Sequence, residues 1–290
     1  MREINIQSKY ILITGASKGL GHYLACEYWA SGYNIFITSS NSIDLKKIAK
    51  SFPIKKNQSL FFFPCDLSKK KSIDQLITVV KQKMPRIDVL INNAAIQGPI
   101  GKVWENNITN WHKTIKINLI APVYLCQKII PWMATHKNGS IINISGGGST
   151  SKRPNFSAYS CSKTALVRFT ENISEEIKSL GIKINCIAPG AMPTQMLKDI
   201  VLNGPLKSGI AEFNSAKKIL LKKNNSMKNT FNLCLFLSSS KSKDITGKII
   251  SSNWDKWKNW PKHIDHLSSS DLYTLRRITG KDRNISWGDK

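Results

Sequence analysis

Tyr159 and Lys163 stand four residues apart in AYSCSK, within a helical pattern running from Phe156 to Leu180. Side chains at that spacing share one face of a helix. A free phenol titrates near 10, so a tyrosine that exchanges protons at neutral pH needs about 4 kcal/mol of differential stabilisation. A neighbouring ammonium supplies part of that by favouring the phenolate. The pair is therefore a candidate general acid/base. A second chemical element lies near the N-terminus. The apolar run YILIT is followed by Thr14, Gly15, Ala16, Ser17, Lys18, Gly19, Leu20 and Gly21. Glycines allow a sharp turn and close approach of backbone to a ligand, and a helix starting there presents free N–H groups to a phosphate. Metal chemistry finds no footing. The six cysteines (Cys26, Cys65, Cys126, Cys161, Cys186, Cys234) form no CxxC pair and no zinc spacing with histidine, so no metal site and reduced, mostly buried thiols are expected.

These residues need elements to hold them. Tyr10–Thr14, Asn34–Thr38, Leu60–Pro64, Asp88–Asn92, Ser140–Ser145 and Lys183–Ile187 read as short buried strands. Helical periodicity covers Leu20–Ser31, Ile73–Lys83, Trp111–Met133 with a kink near Pro122, and Phe156–Leu180 closed by Gly181. Alternating strands and helices predict an α/β, doubly wound, Rossmann-type fold, its parallel sheet covered by helices on both faces. One domain is expected over residues 1–250, including a polar, less regular lid segment at 198–230. Residues 251–290 read as an added Trp-rich element carrying Trp254, Trp257, Trp260 and Trp287. The first residues do not read as a signal peptide, and no apolar run nears the roughly 20 residues that span a bilayer. A cytoplasmic protein is expected.

The glycine spacing is TGxxxGxG, and together with six motifs downstream of it the chain resembles the short-chain dehydrogenase/reductase family. Asp66 and Leu67 in PCDLS match the adenine end of the cofactor site. Asn92-Asn93-Ala94-Ala95 resembles the turn after strand four, Asn118 the active-site Asn, and Tyr159 with Lys163 the YxxxK pair. Pro189, Gly190 and Thr194 match the turn at the nicotinamide end, and Ile245-Thr246-Gly247 the segment before a last strand. The likeness spans roughly residues 9 to 250 and implies a sheet of about seven strands. It also implies an NAD(P)(H)-dependent oxidoreductase moving hydride between nicotinamide and a carbonyl/alcohol pair. By that resemblance Tyr159 is the acid/base, Lys163 also binds the ribose, and Asn118 holds a relay water. The members most alike include 3-oxoacyl-carrier-protein reductases and polysaccharide-locus enzymes, which suggests a sugar-derived substrate. Family members pair their two long helices across a two-fold axis, so a homotetramer or homodimer is expected.

Two departures matter. The family's serine, thirteen residues before the tyrosine, is Gly146 here, within SGGGST. Ser145 aimed by a bulge, glycine N–H groups, or a lost activity with cofactor binding alone are the alternatives, and Ser145 is preferred over Ser149. The end of strand two, Thr38-Ser39-Ser40-Asn41, carries no acid, while Lys18 sits in the glycine turn. Both favour NADP(H) over NAD(H). The net charge of +25 comes mostly from dispersed lysines, which AT-rich codon usage explains. Nucleic-acid readers lean on Arg, so neither nucleic acid nor membrane is expected as a partner.

Overall fold

The computed structural model describes residues 9–221, 225–285 and 287. Residues 1–8 of the expected domain, 222–224 of the expected lid segment, and 286 and 288–290 of the tail lie outside the described residues. Seven parallel strands form one sheet: β1 (Tyr10–Thr14), β2 (Asn34–Ser39), β3 (Leu60–Pro64), β4 (Val89–Asn92), β5 (Gly139–Ile144), β6 (Ile182–Ala188) and β7 (Ile249–Ser251). Their order is β3-β2-β1-β4-β5-β6-β7. The inner strands are near-continuous apolar runs because both of their faces are covered.

One face carries α1 (Gly19–Ala30) and α10 (Ser226–Leu237), whose Leu24, Tyr28, Phe231 and Leu237 pack on Ile11, Ile13 and Ile35. The other carries α3 (Lys70–Lys83) and α5 (Ala121–Ala134), whose Leu76, Val80, Leu125 and Ile129 pack on Leu12, Phe36 and Leu90. Since β1 is flanked by β2 on one side and β4 on the other, its connections leave the sheet in opposite directions. A crevice opens there at the carboxyl ends of the strands.

Four differences from the sequence reading have physical causes. Ser42–Ser51 is a helix, α2, although only Leu45 on it is buried, so no apolar stripe announced it. Its start is held by Asn41, whose side chain accepts from Ile43 N and Asp44 N. The expected single helix from Trp111 is α4 (Ile108–Ile115), a π-helical turn at Lys116–Ile120, and then α5. The expected irregular segment is helical: α7 (Gln195–Leu202), α8 (Gly204–Ser208), α9 (Ile210–Leu221) and the start of α10. Few of its side chains are buried, so its composition reads as loop. Finally α6 (Ser157–Glu176) gives way to a 3₁₀ turn at Lys178–Leu180 before Gly181, whose φ of 70° closes the helix as expected.

The tail after β7 is built into the domain. Trp257 and Trp260 belong to the core cluster of α1 and α10, and Trp257 lies 5.2 Å from the Phe236 ring. Trp254 and Trp287 are exposed. Tyr273 O accepts from Ile249 N of β7, and Glu171 of α6 accepts from Leu275 N. Cys65, Cys126, Cys186 and Cys234 are buried free thiols, whereas Cys26 and Cys161 are exposed. Truncating a buried Trp typically costs about 3–5 kcal/mol. Trp257→Ala is expected to lose that much in urea unfolding, in the same single transition as the rest of the domain, while Trp254→Ala stays within about 0.5 kcal/mol of the parent.

Candidate functional site

The glycine turn sits at the mouth of the crevice. Gly15 and Gly19 adopt φ of +67° and +56°, conformations that side chains disfavour. A Cβ at Gly21 would lie 2.3 Å from Gly15 O and 2.4 Å from the Asn93 amide, so α1 meets the turn only because that position is bare. Lys18 is exposed at the start of α1, where no side chain caps the free N–H groups. Across the crevice, the Thr14 hydroxyl accepts from Asn93 N and Ala94 N, and the Asn93 amide donates to Thr14 O. Asn92 extends the lacing sideways: it donates to Asn143 of β5, which donates to Thr170 of α6. The asparagine turn expected after β4 is thus a brace between three strands and a helix.

The other predicted cofactor residues surround this turn. Thr194 comes within van der Waals reach of a Cβ placed on Gly19, which brings the Pro189–Thr194 turn over the glycines. Ser39 is buried at the end of β2, its hydroxyl donating to Asn41 O, and Leu67 is buried in the second core cluster. Ser17 and Ala95 are half-buried. Hydrogen bonds from Ser68 hold the half-exposed Asp66 carboxyl below its usual range, helped by Lys69.

Tyr159 and Lys163 lie on the buried face of α6. The Lys163 ammonium donates to Ile144 O at 2.6 Å, where β5 ends, and stands 5.8 Å from the centre of the Tyr159 ring. Burial lowers the Lys163 pKa to about 8. Burial raises that of Tyr159, and the nearby Arg153 charge opposes the rise. Asn118, fully buried in the π turn, exchanges two hydrogen bonds with Ile96 and donates a third to Ser162 Oγ. Ser162 in turn donates to Tyr159 O. Pro122 begins α5 without an N–H to offer the carbonyl four residues before it, which is that of Asn118.

The glycine run after β5 is where the arrangement is tightest. A Cβ at Gly146 would lie 2.3 Å from Tyr159 Oη, and one at Gly148 2.2 Å from Ser160 Oγ. Position 146 therefore abuts the phenol, as the family's serine would. Ser145 is buried, its N–H bonded to Ile187 O, and its hydroxyl has no partner among the described residues, Tyr159 included. Ser149 is buried as well, its N–H closing a turn onto Gly146 O.

Three residues at the site escaped the sequence reading. Arg153 stacks 4.0 Å over the Phe156 ring and 5.7 Å from that of Tyr159, and makes a bidentate ion pair with Glu212 of α9. Gln97, five residues after β4, is buried with both amide atoms unpartnered among the described residues. An arginine six residues before the tyrosine, in a chain that otherwise favours lysine, was a visible signal. Nothing in the sequence marked Glu212 or Gln97. Overfilling a packed site typically costs about 1–3 kcal/mol. Gly146→Ala is expected to lower stability by that amount in chemical unfolding, because the phenol must move aside, whereas Ser149→Ala stays closer to the parent.

The family model for short chain dehydrogenases matches residues 9–203. A 3-oxoacyl-[acyl-carrier-protein] reductase of Buchnera aphidicola is 32% identical over 251 residues, which are 86% of this chain and 98% of that protein. The reductase of the same name from Thermotoga maritima is 28% identical over 250 residues, 85% of this chain and 97% of its own. Among solved structures, the NADPH-dependent reductase YwfH of bacilysin biosynthesis superposes with a TM-score of 0.73 at 26% identity, covering 84% of this chain and 96% of that one. Sequence, fold and the order of the motifs agree: the chain belongs to the short-chain dehydrogenase family of oxidoreductases.

Proposed function

We propose that this chain transfers hydride between an NAD(P)(H) nicotinamide and a carbonyl or secondary alcohol on a small molecule. The observation that carries the reading is Tyr159 and Lys163 sharing one buried face of α6 against the end of β5. The cradle supports a dinucleotide: left-handed glycines, a bare Gly21 and the uncapped start of a twelve-residue helix suit a pyrophosphate. Thr14, Gly15, Ser17, Lys18, Gly19, Leu20 and Gly21 would hold it. Ser39, Asp66, Leu67 and Asn93–Ala95 would flank the adenosine side, and Pro189, Gly190 and Thr194 the other end. The bound dinucleotide supplies or accepts the hydride.

In this mechanism the Tyr159 hydroxyl gives its proton to the carbonyl oxygen, or takes one from the alcohol. The Arg153 charge favours the phenolate against burial, and the Lys163 ammonium, beside the ring, is assigned the same effect. Both N–H groups of the Asn118 amide are committed to Ile96 and Ser162. A relay water is therefore assigned to the Asn118 backbone carbonyl, to which Pro122 has no N–H to offer. With Gly146 bare, Ser145 is assigned to steady the substrate oxygen, supported by its buried, unpartnered hydroxyl. Gly146 also motivates a second reading, a cofactor-binding protein without turnover, which cofactor titration together with a carbonyl panel separates from the first.

NADP(H) is the proposed cofactor. The exposed Lys18 supports it, as does the lack of an acid at the end of β2. Asn41 there caps α2 and donates to Asp44. Segment 198–230 is the proposed lid, with residues 1–250 as the cofactor domain and 251–290 as an extension packed on it or on a neighbouring subunit. A homodimer or homotetramer is proposed through α5 and α6, which line an apolar cleft of about 840 Å³ with Val123, Ile130, Phe169 and Ile173. No helix among the described residues is long and apolar enough to cross a membrane. A cytoplasmic setting is proposed, and a sugar-derived substrate rests on the sequence resemblance alone.

Tyr159→Phe is expected to cut turnover about 10²–10⁴-fold while leaving NADPH binding by fluorescence titration nearly intact. The same titration should show NADPH tighter than NADH, and Lys18→Ala should narrow the difference. Ser145→Ala should slow turnover more than Ser149→Ala. Lys163 also has a pH signature. Its folded pKa, about 8, lies below the usual lysine value of 10.5, so the unfolded chain binds more protons between them. The stability difference between the parent and Lys163→Met should rise from pH 8 towards 10.5 in chemical unfolding and stay level below 8.

A further inference from the structure

The ion pair over the tyrosine is built differently from the family motifs. Two bare positions make room: Gly146 admits the Tyr159 hydroxyl, and a Cβ on Gly148 would lie 3.1 Å from Arg153 Cβ, while Gly147 lies in ordinary contact range of the Arg153 side chain. Arg153 Nε and Nη2 meet the two Glu212 oxygens at 3.0 and 2.9 Å. This fork-to-fork geometry is the one guanidinium uses for any carboxylate. The arginine side chain is 14% exposed and that of Glu212 35%, so the cation is sheltered while its partner faces solvent.

Glu212 stands on α9, which follows two left-handed glycines. It stands three residues after Gly209, with φ of +87°, and eight after Gly204, with φ of +72°. A Cβ at Gly204 would meet nothing within 4 Å, and one at Gly209 only the Asn155 amide. Both glycines lie at helix ends, Gly204 in open space, and such positions are where a segment can absorb a change of backbone angle. A substrate carboxylate offers Arg153 the same two hydrogen bonds, so an exchange leaves no buried cation unpaired.

We propose that Arg153 is a substrate-binding residue that recognises a carboxylate on the carbonyl substrate, and that Glu212 occupies its place until such a substrate arrives. This rests on the hydride-transfer reading above and gives it a substrate class: small oxo acids or the matching hydroxy acids. The guanidinium over the Phe156 ring keeps its orientation when the carboxylate changes, because the stacking does not depend on Glu212. The Glu212 side chain then turns to solvent with α9. The net charge of +25 draws anionic substrates towards the chain.

The test pairs 4-oxopentanoate with 4-oxopentanamide, and acetoacetate with acetoacetamide, on the full-length protein with NADPH. Turnover is read by NADPH absorbance and binding by calorimetry. The acid should be preferred over its amide by about 10–100-fold, mostly through KM, as charge-assisted hydrogen bonds allow. Arg153→Met should collapse the acid-to-amide ratio towards one. Glu212→Gln removes the competitor, so it should lower KM for the acid several-fold and raise the ratio. The assignment is overturned if Arg153→Met lowers kcat/KM for acid and amide alike, or if Glu212→Gln weakens the acid. It is equally overturned if calorimetry on the parent shows no preference for the acid. An acid preference in binding with no turnover of either probe would remove the hydride-transfer reading and leave the Arg153 site standing.

Discussion

Everything at the site hangs on the reversal of strand order between β1 and β4. Two parallel neighbours whose connections diverge leave backbone groups at their carboxyl ends with no strand or helix to pair with. The chain answers with side chains. Thr14 and Asn93 satisfy one another's backbone across the gap, and Asn92, Asn143 and Thr170 continue a buried polar line towards α6. Each bond along the line spares a desolvated group, and among the described residues only the Asn92 side-chain oxygen in it keeps no partner. Its far end is the helix that carries Tyr159 and Lys163. Mouth and chemical face are therefore parts of one hydrogen-bonded unit.

Crowding decides the rest. The phenol, Arg153 and the Ser160 hydroxyl all press on the three glycines after β5. A serine at position 146 and the observed place of the tyrosine hydroxyl exclude each other. The same run that removes the family's hydroxyl admits a cation over the ring. At this turn the chain carries a bare position beside the phenol and a cation above its ring.

Most of the frame was legible because it follows from residue type and spacing. Apolar runs of five or six residues became the strands β1 to β6 within a residue at either end, and the glycine turn, the asparagine pair and the YxxxK helix stand where their spacing put them. What escaped has little apolar signal. Helix α2 buries only Leu45, and α9 only Ala216. The π turn at Asn118 was hinted at by Pro122 but looked like a kink. Arg153 and Glu212 are 59 positions apart, and only tertiary folding brings them together. The tail was legible as Trp-rich but not as divided. Trp257 and Trp260 complete the core while Trp254 and Trp287 do not, and composition carries no such distinction.

The attachment of that tail to β7 has a colloidal consequence. An outermost strand offers unpaired N–H and C=O groups to any passing chain, and this is a usual route to edge-on aggregation. Here Tyr273 takes the outward N–H of Ile249, and Lys248 reaches back to the carbonyls of Ser270 and Leu272. The β7 rim is thus closed by the molecule's own last segment. At the opposite rim, β3 ends in Pro64, which has no N–H to give. The β7 border therefore resists templating more fully than the β3 border, where Leu60–Phe63 keep their N–H groups and Phe62 is 40% exposed.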